Sequence, residues 1–181
     1  MTLDTATQQA LLALARSAIG VALGISRDLA AVDAPVLRER RGAFVSLHVH
    51  GRLRGCIGRI EPDAPLATML PDVARLAALN DPRFPPVTGV ELRSIRIEIS
   101  LLTPPVVLDD PRDAVVGRDG LMVAARGRRG LLLPQVAVEY GWTIEEFLAC
   151  ACEKASLPAD AWQNDGVRVS AFQAEVFGES G

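Results

Sequence analysis

The sequence predicts an α+β fold of two unequal subdomains built from a duplicated hairpin, helix and strand unit, mainly antiparallel sheet flanked by helices. Three observations predict it. Two segments with strand-like alternation each turn back on themselves, Phe44 to Ile60 and Gly120 to Leu133. Each is followed by a stretch with helical periodicity and then by another apolar strand. The two turns are also alike: Gly51-Arg52-Leu53-Arg54-Gly55 stands beside Gly127-Arg128-Arg129-Gly130, one residue shorter. The approximate repeats run over 42–105 and 117–178, after a helix over 5–24, within a single domain 1–181.

The first helix rests on Leu11, Leu12, Ala15, Ala18, Ile19, Ala22 and Leu23 at helical spacing, with Asp4 or Thr5 as its cap and Gly24 as its stop. A linker through Asp33-Ala34-Pro35 leads into the first hairpin, Phe44–His50 paired with Leu53–Ile60. Pro65–Leu79 reads as a helix, and Asp81-Pro82-Arg83-Phe84-Pro85-Pro86 as a rigid loop, because each proline fixes its own φ. Ser94–Leu102 is a strand with Ile95, Ile97 and Ile99 on one face, ended by Thr103-Pro104-Pro105. In the second half, Gly120–Ala125 turns through Arg126-Gly127-Arg128 into Gly130–Leu133. A helix follows whose capping box is Thr143 with Glu146 and whose stripe is Ile144, Phe147, Leu148, Ala151 and Ala155. Leu157-Pro158 ends it, and Val167–Phe177 is the last strand.

Composition excludes several classes. The chain is 49% hydrophobic and 23% charged with a formal net charge of -3, as in ordinary globular proteins. Lys154 is the only lysine, so a phosphate-cradling loop with its lysine is absent and a catalytic amine has one poorly placed candidate. An acidic chain with 4% aromatics offers neither a broad basic face nor a base-stacking platform, which argues against nucleic acid. The odd count of cysteines, Cys56, Cys150 and Cys152, suits a reducing cytoplasm. Asp4 precedes the first apolar stretch and Arg16 interrupts it, so neither a secretory leader nor a membrane span is expected.

Four segments together resemble the AMMECR-like family, whose bacterial members are also called protein A of the AmmeMemoRadiSam system. Leu53-Arg54-Gly55-Cys56-Ile57-Gly58 is similar to its signature hexapeptide, and Asp81-Pro82-Arg83-Phe84-Pro85-Pro86 to its second motif. Ile97–Pro104 and Gly130–Ala137 resemble the third and fourth, so the likeness covers about residues 35 to 175. The resemblance implies an α+β fold in two unequal parts and brings no established reaction. It also implies genomic company with a Memo-like protein and a radical S-adenosylmethionine enzyme, and a modification pathway shared with them. One departure is visible: the helix before Asp81 has Asp72-Val73-Ala74 where an Asn is expected.

Cys56 is the candidate nucleophile, because Arg54 can favour its thiolate and Gly55 and Gly58 open the backbone around it. Its surroundings depend on hairpin register, since side chains alternate between faces with a period of two. A two-residue turn at His50-Gly51 pairs Cys56 with Val45 on the core face. A three-residue turn at Gly51-Arg52-Leu53 sets it opposite His48, which then becomes its candidate base. His48 and His50 with Cys56 lack a fourth donor, so no metal site is expected. The Gly55–Gly58 string also matches the GXXG loop of KH domains, but it lies in a hairpin rather than between helices.

Arg52, Arg54, Arg59, Arg126, Arg128 and Arg129 cluster at the two turns, where they either meet one anion or keep sheet edges soluble. Asp81 and Arg83 can hold each other across the proline-fixed loop, or Arg83 can reach a substrate anion. Gln135 would position substrate through its amide or tie down backbone. The functional expectation is an enzyme or enzyme component with a small anionic substrate, Cys56 and His48 catalytic, Arg54, Arg83 and Gln135 binding, and no cofactor of its own. The alternatives are a non-catalytic partner of the Memo-like and radical enzymes, docking through Asp81–Pro86, and an RNA-binding module.

Overall fold

The computed structural model describes residues 2–61 and 64–179. The chain divides into two compact units, Met1–Leu102 with Glu175–Gly181, and Thr103–Ala174. The first contains α1 (Thr5–Ala22), β1 (Ala43–Val49), β2 (Arg52–Arg59), α2 (Leu66–Leu79) and β3 (Ile95–Leu102). The second contains β4 (Val106–Val107), β5 (Gly120–Ala125), β6 (Arg128–Leu132), α3 (Pro134–Tyr140), α4 (Ile144–Lys154) and β7 (Arg168–Phe172). The chain then re-enters the first unit through β8 (Ala174–Gly178). The two four-stranded sheets run in the orders β2-β1-β3-β8 and β4-β7-β5-β6.

Helix α1 begins where the Asp4 carboxylate accepts the Thr7 amide at 2.7 Å, and Gly24 follows its end with φ 71°. One side of the first sheet, carrying Val45, Leu47, Ile95, Ile97, Ile99 and Leu101, is fully buried with Leu11, Ile19, Leu66, Leu70 and Val73 of the two helices. In the second unit Leu121, Val123 and Val169 are buried with Phe147, Leu148 and Ala151 of α4. That helix has both arms of its capping box: Thr143 N–H donates to Glu146 Oε2 at 2.8 Å, and Glu146 N–H to Thr143 Oγ1 at 3.3 Å. Among the described residues, no helix is long and apolar enough to cross a membrane.

The duplication is visible in detail. Both hairpins close through two left-handed residues, His50 (φ 50°) with Gly51 (φ 73°), and Arg126 (φ 51°) with Gly127 (φ 76°), the backbone of a type I′ turn. In each, the returning strand places one glycine under a helix that comes later in the same unit. A side chain at Gly55 would collide with the Ala77 carbonyl of α2, and one at Gly130 with the Ala155 amide and Ala151 carbonyl of α4. The central strands β1 and β5 then each pair antiparallel with the strand that ends the repeat, β3 and β7.

Three features differ from the sequence reading. Val167–Phe177 is not one strand: it breaks at Gln173 into β7 and β8, which belong to different sheets. The short strand β4 and the seven-residue helix α3 give too few residues for a periodic signal. The hairpin takes neither expected register, as described below.

Because both glycine contacts are with backbone, no rotamer change can relieve an added methyl. Gly55→Ala and Gly130→Ala are each expected to cost about 1–3 kcal/mol, read as a lower urea midpoint at unchanged slope. Wild-type midpoints for both variants would mean that the helices can shift outward freely.

Candidate functional site

The site is set by one inserted residue in β2. Val49 pairs with Arg52 and His48 with Leu53, as a two-residue turn requires. Leu47 then pairs with Gly55, so Arg54 is an extra residue in the ladder, a β-bulge. Past the bulge, Cys56 is opposite Ser46 rather than Val45 or His48. The insertion turns Gly55 toward α2 and Cys56 away from the core, onto the face that carries Phe44, Ser46 and His48. There the Ser46 hydroxyl donates to Cys56 Sγ at 3.3 Å. On the other side of Ser46 the register brings Glu98 of β3, so Cys56, Ser46 and Glu98 form one cross-strand row of half-buried side chains. The next row is Leu53, His48 and Arg96.

The loop after α2 is strapped to β2 at the same place. Asp81 is 4% exposed, and its carboxylate accepts the Cys56 amide at 2.8 Å. It also takes a bidentate pair from Arg83, Nε to Oδ1 at 2.9 Å and a terminal nitrogen to Oδ2 at 2.7 Å, besides the Arg83 amide at 3.1 Å. Arg83 closes the ring by donating to the Cys56 carbonyl at 3.2 Å. Its guanidinium also lies 5.5 Å from the ring centre of Phe84. The Arg83 guanidinium holds the Asp81 carboxyl far below the usual carboxylate range, against the opposing effect of burial. Arg83 in turn keeps its proton more tightly, chiefly because of Asp81 and also because of the neighbouring Cys56.

Arg54 does not point its charge at the thiol. Its guanidinium pairs with Glu91, Nε to Oε1 at 3.1 Å, and donates to the Pro85 carbonyl at 2.8 Å and the Pro86 carbonyl at 3.4 Å. Glu91 is further engaged by Thr88 through amide and hydroxyl, at 2.9 and 3.0 Å. The bulge residue therefore ties β2 to the far end of the loop that Asp81 and Arg83 tie at its near end. Arg59 donates to Asp72 at 2.6 Å, and Arg75 to the other oxygen of that carboxylate at 2.8 Å, where the family pattern leads one to expect an amide.

Of the residues singled out in the sequence, Cys56, Arg54 and Arg83 are brought together, and His48 stands on the Cys56 face in the neighbouring row without a hydrogen bond to it among the described residues. Gln135 lies half-buried on α3, in the second unit. Ser46 and Glu98 were missed. Their signal was the alternation of β1 and β3, but placing them beside Cys56 required the bulge. The remaining thiols, Cys150 and Cys152 on α4, are pushed up by burial first and by nearby carboxylates such as Glu153, and both are free.

The chain matches the AMMECR1 family over residues 12–177. It belongs to that family. It is 49% identical over 179 residues to a protein of Methanothermobacter thermautotrophicus, covering 94% of this chain and 93% of that one. A Methanocaldococcus jannaschii protein is also 49% identical, over 152 residues, covering 80% of this chain and 76% of the relative. The crystal structure of the uncharacterised protein PH0010 from Pyrococcus horikoshii superposes with a TM-score of 0.82 at 42% identity, covering 94% of this chain and 90% of that one. The AMMECR1 fold is thus the two-unit α+β architecture described above.

Asp81 gives the site a pH signature. Because its folded pKa is depressed, its contribution is complete above the unfolded value of ~3.9, falls away as pH drops below that, and is gone below the lowered folded value. Asp81→Ala is expected to cost about 2 kcal/mol at pH 7, by orphaning the Cys56 amide and Arg83. The gap between wild type and variant should close as urea unfolding is repeated below pH 4. A gap that does not change with pH would place the effect in packing rather than in the ion pair.

Proposed function

We propose that this AMMECR1-family chain is an enzyme, or the substrate-binding component of one, that takes a small anionic substrate at the Leu53–Gly58 strand and acts on it with the Cys56 thiol. One observation carries the reading: Cys56 is half-exposed on the polar sheet face, with the Ser46 hydroxyl donating to its sulfur and Arg83 held against it by Asp81. More than half of the Arg83 side chain is exposed, at 55%, so its remaining terminal nitrogen can meet a substrate anion while Nε and the other terminal nitrogen keep the Asp81 pair. The thiolate, having lost its proton to solvent, adds to an electrophilic carbon. The sulfur–carbon bond forms as the carbonyl π pair moves onto oxygen, toward the guanidinium. His48 and Glu98 on the same face are the groups placed to take up or return a proton.

A second reading has its own observation. The loop that Arg54 and Arg83 hold presents Pro85, Pro86 and Val90 to solvent, and Val90 is 84% exposed. A rigid, exposed apolar loop suits docking on a partner. The Memo-like and radical S-adenosylmethionine proteins named by the family resemblance are the candidates, in a reducing compartment.

The pH dependence of iodoacetamide labelling, in folded protein with Cys150 and Cys152 replaced by Ala, tests the first reading. Labelling of Cys56 is expected at pH 7 at several times the rate of a free cysteine, and Arg83→Gln should slow it severalfold. Labelling only after denaturation would sink the proposal. For the second reading, a stoichiometric complex with a purified Memo-like or radical enzyme is expected, lost in Val90→Asp; co-elution unaffected by that substitution would remove the loop from the interface.

A further inference from the structure

The second unit carries chemistry that the first lacks. Aligning the two hairpins on their turns puts Leu131 where Cys56 stands and Met122 where Ser46 stands, so the thiol site is not repeated. At the turn end the change goes the other way. The row Leu53, His48 and Arg96 of the first sheet becomes Arg129, Ala124 and Arg168 in the second. Two arginines thus flank one alanine on a single sheet face, on strands about 5 Å either side of it. The methyl of Ala124 leaves the space above the row open.

That space is real. A groove of about 980 Å³ lies over this row, within the second unit, walled by the 109–112 segment, the Arg126–Arg129 turn and the 162–168 segment. Its lining carries five arginines against three aspartates, an excess of two positive charges in a chain whose net charge is -3. Three of the five are already engaged, Arg129 among them. Arg112 stacks over Trp162 at 4.7 Å and reaches Asp110, and Arg128 donates to the Ser156 carbonyl at 2.6 Å. Arg126 and Arg168 have no hydrogen-bond or ion-pair partner among the described residues, in contrast to Arg54 and Arg59 of the first unit, which face carboxylates. Arg126 also holds a left-handed backbone, where a β-turn favours Asn or Gly and an arginine is strained.

We propose that this groove binds a small ligand bearing a chain of phosphates, with Arg168 and Arg129 gripping it from the two sides of Ala124 and Arg126 closing over it from the turn. Guanidinium groups suit this ligand because their planar donors meet phosphate oxygens in pairs. A single carboxylate would leave Arg126 or Arg168 unsatisfied, whereas a triphosphate carries enough charge for both. The groove is of the size that holds a nucleotide-sized molecule, and the side-chain amides of Gln163 and Asn164 on its wall offer neutral hydrogen bonds beside the cationic row. The inference is independent of Cys56, which lies in the other unit.

The test is isothermal titration of the full chain with inorganic triphosphate, and separately with ATP, at low and physiological salt. Binding that weakens with salt is expected. The Arg129→Gln/Arg168→Gln double variant should lose at least tenfold in affinity, Arg168→Lys should keep part of it, and Cys56→Ser should bind like wild type. If the double variant unfolds, Arg168→Gln alone reads the same effect, since that side chain is exposed and unpartnered. Absence of heat with either ligand at millimolar concentration would overturn the proposal, as would equal affinity of wild type and Arg168→Gln. Tighter binding of a single-stranded oligonucleotide than of either ligand would overturn it in favour of a nucleic-acid surface.

Discussion

Helix α2 lies so close to β2 that position 55 has room for a hydrogen atom and for nothing larger. This close approach governs the first unit. It draws the backbone of Leu53–Gly58 under the helix and leaves the C-terminal end of α2 directly above the strand, so that the loop leaving the helix begins beside Cys56. Asp81 can then reach the Cys56 amide only two residues after the helix ends at Leu79. The proline-rich loop has little conformational freedom to lose, so a few charged contacts suffice to fix it. The signature hexapeptide and the second motif are therefore one structural object, a strand and its strap, rather than two separate sites.

The same approach recurs in the second unit, where Gly130 lies beneath α4. Duplication has kept the backbone device and exchanged the side chains around it. The first copy keeps a thiol, a hydroxyl and two carboxylates beside its turn, and spends Arg54 and Arg83 on holding the loop. The second replaces the thiol by leucine, loses the bulge, and sets its arginines on the open sheet face. A buried aspartate anchors each unit: Asp81 in the first, and in the second Asp119, which accepts the Val115 amide at 2.9 Å and a bidentate pair from Arg118. In both, a carboxylate that is almost wholly buried keeps its charge because an exposed arginine covers it and backbone amides complete its hydrogen bonds.

Much of the fold was legible in the residues. The capping box at Thr143, the stripe at Phe147, Leu148 and Ala151, the alternation of Ile95, Ile97 and Ile99, and the paired glycine turns are local signals, and each forms the element it predicts. The split of the last strand at Gln173 was hidden because both halves are apolar and alternating; which sheet each joins is decided by partners far away in sequence. Arg54 was read as a neighbour of the thiol from its position two residues before it, yet Glu91 and two proline carbonyls claim its guanidinium. Glu98, far from Cys56 in the chain, shares its row.

Local spacing in the chain carries the longer helices, the two hairpins, the family and the candidate residues, whereas β4, α3 and the split of the last strand left no local signal. The tertiary structure alone decided which way Cys56 faces. With a side-chain period of two, a single inserted residue exchanges the faces of everything beyond it, and whether Arg54 joins the ladder or bulges from it depends on what lies on either side. Here a helix backbone demands glycine inward, and a loop carboxylate demands the Cys56 amide. Both demands are met only when the thiol turns outward.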